Sequence, residues 1–137
     1  MTMTVGLLDT NILIHWPRLE ANQLPDQAAI TAVTLAELSA GVHAARDALT
    51  RAGRLELLQR AESEFDPIPF DVSAARAYGR ITAAVTGIGR SPRGRVADQM
   101  IAAISLSRGL ALYTTNPADY LGLDAIVDVV AVTRPTP

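Results

Sequence analysis

The strongest constraint on how this chain can fold is an alternation. Short apolar runs at Val5–Leu8, Ala29–Val33, Leu110–Thr114 and Ile126–Val132 are separated by longer stretches with helical signals. Short, nearly continuous apolar runs suit strands buried on both faces, as in a parallel sheet covered by helices. The helical stretches begin with Asn11–Trp16, stopped near Pro17. Leu35 to about Ala45 follows, with Thr34 as N-cap and Glu37 at the capping-box position, and then Ala48 to Glu64. Ser73 caps a helix from Ala74 to about Val85, and Val96–Arg108 is closed by Gly109. Between Glu64 and Ser73, FDPIPF, residues 65–70, is extended, because Pro67 and Pro69 forbid helix and suit a sheet edge. The order βα–βαα–βα–αβ–β predicts a three-layer α/β/α fold on a mainly parallel, five-stranded sheet. No linker, repeat or low-complexity tract interrupts residues 1–137, which read as one domain.

Composition excludes several chemistries. The chain has no cysteine, so disulfides, zinc–thiolate sites and thiol catalysis are absent, which suits a reducing compartment. No apolar run approaches the roughly 20 residues of a membrane span, and the start lacks a basic signal-peptide region. The expectation is a cytoplasmic protein with no membrane partner. Net charge is −2, so overall charge does not point to nucleic acid. Its distribution does more. Residues 72–97 contain no acid but five arginines, Arg76, Arg80, Arg90, Arg93 and Arg95. That stretch reads either as a solvated face with a basic loop or as a surface for phosphates.

The acids are placed with respect to the runs. Asp9 interrupts VGLLDTNILI, where an unpaired buried carboxylate would cost several kcal/mol. It follows the first strand directly. Glu37 stands one turn into the helix after the second strand, and Asp98 in the first turn of the helix leading to the strand Leu110–Thr114. Asn116 and Asp119 lie just past that strand. In open α/β sheets ligands bind beyond the carboxyl ends of the strands, so three or four oxygen ligands would converge on one edge. Each acid also has a plainer reading. Asp9 could cap a helix, Glu37 could complete a capping box, Asp98 could complement a helix dipole, and Asp119 could be a turn residue after Pro117. Taken together, carboxylates this close need a cation to neutralise them. With no cysteine, and with His15 and His43 lacking metal-site spacing, the donors are hard oxygens, which select Mg²⁺ or Mn²⁺. Such an ion activates water for attack on a phosphodiester and stabilises the leaving oxygen.

LLDTNILI, TLAELSAGV, VADQMIAA and TTNPADY, in this order and spacing, resemble the PIN-domain ribonucleases, specifically the VapC toxins of bacterial toxin–antitoxin pairs. The resemblance covers the whole chain. It places the family's three acids on Asp9, Glu37 and Asp98, its Ser/Thr beside the site on Thr114, and the polar residue of its Asp-Thr-Asn turn on Asn11. The family's fourth acid often stands where this chain has Asn116, whose carbonyl can still offer oxygen or position water, while Asp119 supplies a charge three residues later. The resemblance implies a PIN-like fold and a Mg²⁺-dependent endoribonuclease that leaves a 5′-phosphate and a 3′-hydroxyl. It also implies a homodimer and a cognate VapB-type antitoxin that covers the site and binds operator DNA. Arg90, Arg93 and Arg95, just before Asp98, are expected on charge and position to hold RNA phosphates. Receiver and haloacid-dehalogenase-type folds also carry an acid after the first strand. Both need a lysine, which this chain lacks, and the second also needs an acid where Asn11 stands. A non-enzymatic PIN-like binding module with a weakened metal site is the remaining alternative, and Asn116 is the feature in its favour.

Overall fold

A computed structural model describes residues 3–136. Four parallel strands, β1 (Val5–Leu8), β2 (Gln27–Ala29), β3 (Ala111–Thr114) and β4 (Val129–Ala131), form one sheet in the order β2-β1-β3-β4. Leu7 pairs with Ala29 on one side and Leu112 on the other, and Leu112 pairs in turn with Val129. The helices are α1 (Thr10–His15), α2 (Ala32–Ala44), α3 (Ala48–Glu64), α4 (Val72–Gly87) and α5 (Val96–Arg108).

Strand geometry sends successive side chains to opposite faces, and this separates two cores. Leu7 and Leu112 join Ile81, Ile101 and Ile104 from α4 and α5. Their neighbours Leu8 and Tyr113 join Ile12, Leu13 and Leu38 from α1 and α2, with Ala61 from α3. The three predicted layers follow directly. Gly6 keeps β1 and β3 compatible, since a Cβ there would stand 2.3 Å from the Tyr113 ring. Gly109 ends α5 in the left-handed conformation, φ 65°, which costs glycine little.

The differences from the sequence expectation lie at element ends. The fifth strand is reduced to a single parallel bridge between Thr31 and Ile68. Ile68 N–H donates to the Ile30 carbonyl and Ile68 C=O accepts from Ala32 N–H, both at 2.9 Å. The pairing goes no further because α2 begins at Ala32, directly after Thr31. Strand β2 ends at Ala29 rather than Val33, because the Thr31 hydroxyl takes the Thr34 N–H at 3.1 Å and starts α2 early. Thr31, not Thr34, is therefore the cap, and Glu37 is released from any capping box. Likewise Asp71, not Ser73, caps α4, accepting from Ala74 N–H at 2.9 Å. No helix among the described residues is long and apolar enough to cross a membrane.

Candidate active site

From β1 the chain passes to β2 on one side, while β3 and β4 lie on the other, so the strand order reverses between β1 and β3. The crevice at such a reversal is where open α/β sheets bind ligands. A cleft of about 600 Å³ opens there, lined among others by Asp9, Asn11, Glu37 and Asp98. Four of the residues chosen from sequence thus meet in one cavity.

Asp9 and Glu37 are each held by their element and by a donor, and Asp98 by its helix. Asp9 directly follows β1 and is only 2% exposed. Its Oδ1 accepts from Ile12 N–H at 3.2 Å, capping α1, so the capping reading holds while the residue also lines the cleft. Its Oδ2 accepts from the Tyr120 hydroxyl at 3.2 Å. Burial raises the Asp9 pKa; the Thr114 hydroxyl, Ile12 N–H and Tyr120 hydroxyl oppose the rise, and the Asp119 carboxylate adds to it. Glu37 Oε1 accepts from the Thr10 hydroxyl at 2.6 Å, and Thr10 Oγ1 lies 3.1 Å from the Thr34 hydroxyl. Asp98 is pushed up to about 7 by burial, then by the Asp119, Glu37 and Asp9 carboxylates, with Arg95 opposing.

The remaining sequence-chosen residues stand at the β3 end. Thr114 is fully buried and its Oγ1 accepts from Asn116 N–H at 2.9 Å, so Asn116 begins the 3-10 turn Pro117–Tyr120. Asp119 sits in that turn and forms an ion pair with Arg95. Arg90 donates to the Ala118 carbonyl at 2.9 Å. Two of the three arginines expected on phosphates thus grip this turn. Arg93 is exposed, and of its groups the backbone N–H is engaged, on Ser91 Oγ at 3.4 Å.

Sequence reasoning missed Thr10, which steadies Glu37; Tyr120, which reaches Asp9; and Arg54 of α3. Arg54 lines the cleft and donates to the Gly41 carbonyl at 2.8 Å. Thr10 could have been found from its place beside Asp9. The other two carry no local signal.

The donor set fits a hard divalent cation: crowded carboxylates, with Asp98 pushed up to about 7 by burial and then by its acidic neighbours. Among the described residues no three of these carboxylates already close on a common point. Asp9, Glu37 and Asp119 each rest on protein donors instead.

The PIN domain family model matches residues 6–120. Ribonuclease VapC5 of Mycobacterium tuberculosis is 37% identical over 131 residues, covering 93% of this chain and 94% of that protein. The tRNA(fMet)-specific endonuclease VapC of Shigella flexneri is 32% identical over 123 residues, covering 83% and 88%. Among solved structures, the VapBC-5 member of the VapBC toxin–antitoxin family from M. tuberculosis superposes with a TM-score of 0.81 at 36% identity, covering 92% of this chain and 95% of that one. VapBC2 of Rickettsia felis, bound to a promoter DNA fragment, shares the fold at 20% identity and a TM-score of 0.72, covering 94% and 99%. With its acids at the β1/β3 edge and these likenesses along nearly its whole length, the chain belongs to the PIN-domain family, as a member of its VapC branch.

Proposed function

We propose that the protein is a divalent-metal-dependent endoribonuclease, the toxin of a toxin–antitoxin pair. The observation that carries this reading is the meeting of Asp9, Glu37 and Asp98 in one cleft at the sheet's switch point. Asp9, Glu37 and Asp98 would hold Mg²⁺, or Mn²⁺ in its place. When bound, the ion lowers the pKa of a coordinated water and neutralises charge on the departing oxygen of a phosphodiester. Asp9 is oriented for this by β1 and two donors, and Glu37 by Thr10. Asn11 offers a neutral oxygen on the cleft wall, Thr114 supports Asp9, and Asn116 and Asp119 stand in reserve on the adjoining turn. Arg54 and Arg93 are the cations open to substrate phosphates, whereas Arg90 and Arg95 act through the turn they hold.

The named functions of the relatives support RNA as substrate, and the solved VapBC complexes support a VapB-type antitoxin. A homodimer, contact with operator DNA through the antitoxin alone, and a cytoplasmic location complete the proposal. Incubation of the purified protein with RNA tests it. Cleavage is expected in Mg²⁺ or Mn²⁺, none in EDTA, and none from Asp9→Asn. Cleavage by Asp9→Asn at the wild-type rate would overturn the metal-site reading.

A further inference from the structure

We propose that Tyr120 is a positioning residue for Asp9, fixing the carboxylate on which the divalent cation would depend. The inference rests on the metal reading above. Tyr120 is 1% exposed, and its ring packs in the core formed with α4 and α5. Phenylalanine would fill that space equally well. A buried hydroxyl is costly unless it finds a partner, and the partner here is Asp9 Oδ2, 111 residues away in the chain. Oδ1 is held at the same time by Ile12 N–H. Two donors on the two oxygens fix the carboxylate plane, since rotation about the side-chain torsion would break one of them. Each oxygen still keeps lone-pair capacity for a cation.

The turn bearing Tyr120 is itself tied down. Arg90 holds the Ala118 carbonyl and Arg95 holds Asp119, the two residues just before Tyr120. The hydroxyl therefore reaches Asp9 from an anchored segment. Donors that orient a ligating side chain typically change metal affinity or activity by about 10–100-fold.

The test is Tyr120→Phe, titrated with Mn²⁺ alone by calorimetry, beside wild type and Asp9→Asn, with thermal melts of each metal-free protein. The expected result is a folded variant whose Mn²⁺ dissociation constant rises about 10-fold or more. Its RNA-cleavage kcat should fall while KM stays unchanged. A role confined to packing would instead lower the melting temperature and leave Mn²⁺ binding alone, and that result overturns the proposal. Wild-type protein showing no Mn²⁺ binding that Asp9→Asn removes would defeat the metal reading and the Tyr120 role with it. Wild-type binding with an equal constant in Tyr120→Phe would defeat the Tyr120 role only.

Discussion

The acidic cleft and the arginine loop beside it carry charge in opposite ways. In the cleft, acids from β1, α2 and α5 gather without enough positive charge, and Asp98 retains its proton up to about 7. In the loop, residues 88–95 hold three arginines and no acid, which in sequence is the more unbalanced stretch. Folding reverses that impression. Arg90 and Arg95 are engaged by the turn Pro117–Tyr120, while among the described residues no salt bridge reaches Asp9, Glu37 or Asp98. A charge run in sequence thus says little about which charges remain uncompensated. The partner is decided by topology, and here the loop and the turn meet beside the switch point.

The sharpest way to break this contrast is to neutralise an acid of the cleft. Asp9→Asn should lower single-turnover RNA cleavage by about a thousandfold or more, the order expected when several kcal/mol of ion-derived stabilisation is lost. A loss under tenfold would mean that the cleft is not where the chemistry happens. Asp98→Asn should behave similarly in cleavage and oppositely in stability. Removing the crowded charge should stabilise the metal-free protein by about 1–2 kcal/mol at pH 8, allowing for solvent screening. Urea denaturation measures it, and destabilisation would show that the charge is already compensated.

The burial of Asp98, with this crowding, gives a pH dependence. Folded Asp98 keeps its proton to about 7, against 3.8 for the free group, so between those values the folded state binds more protons than the unfolded. Stability then falls as pH rises through that window. The urea midpoint of the metal-free protein should decline from pH 4 to pH 7, and saturating Mg²⁺ should flatten or reverse the slope by favouring the ionised acids. A midpoint that rises with pH in EDTA would contradict the charge excess.

Much of this arrangement was legible in the sequence because it depends on local position. Asp9 after an apolar run, Glu37 one turn into a helix and Asp98 in a first turn are each fixed by the element that carries them, and all three line the cleft. The layers were legible because strand alternation and helical period are local too. What could not be read depends on reach across the fold. Tyr120 meets Asp9 over 111 residues, and Arg95 meets Asp119 over 24. No spacing rule encodes either pair. Caps failed for a related reason. Thr31 and Thr34, or Asp71 and Ser73, are both acceptable caps by type, and the choice fell to where the preceding extended segment ended. The fifth strand shrank to one bridge because its partner Thr31 is already the cap of α2.

The smallest expected effects separate the arginines from one another. Arg95→Gln removes a half-exposed ion pair with Asp119 and should cost at most about 1 kcal/mol, seen as a lower urea midpoint. Arg93→Gln should leave that midpoint unchanged, since the exposed side chain supports no other segment. Its effect should appear in RNA binding by catalytically silent protein, as a salt-dependence slope reduced by about one. The two substitutions remove the same charge from neighbouring positions, so overall electrostatics predicts the same result for both. Equal salt slopes with equal midpoints would make the loop a uniform basic surface. Different readouts for the two would establish that folding has divided the run into arginines that hold the turn and an arginine left for substrate.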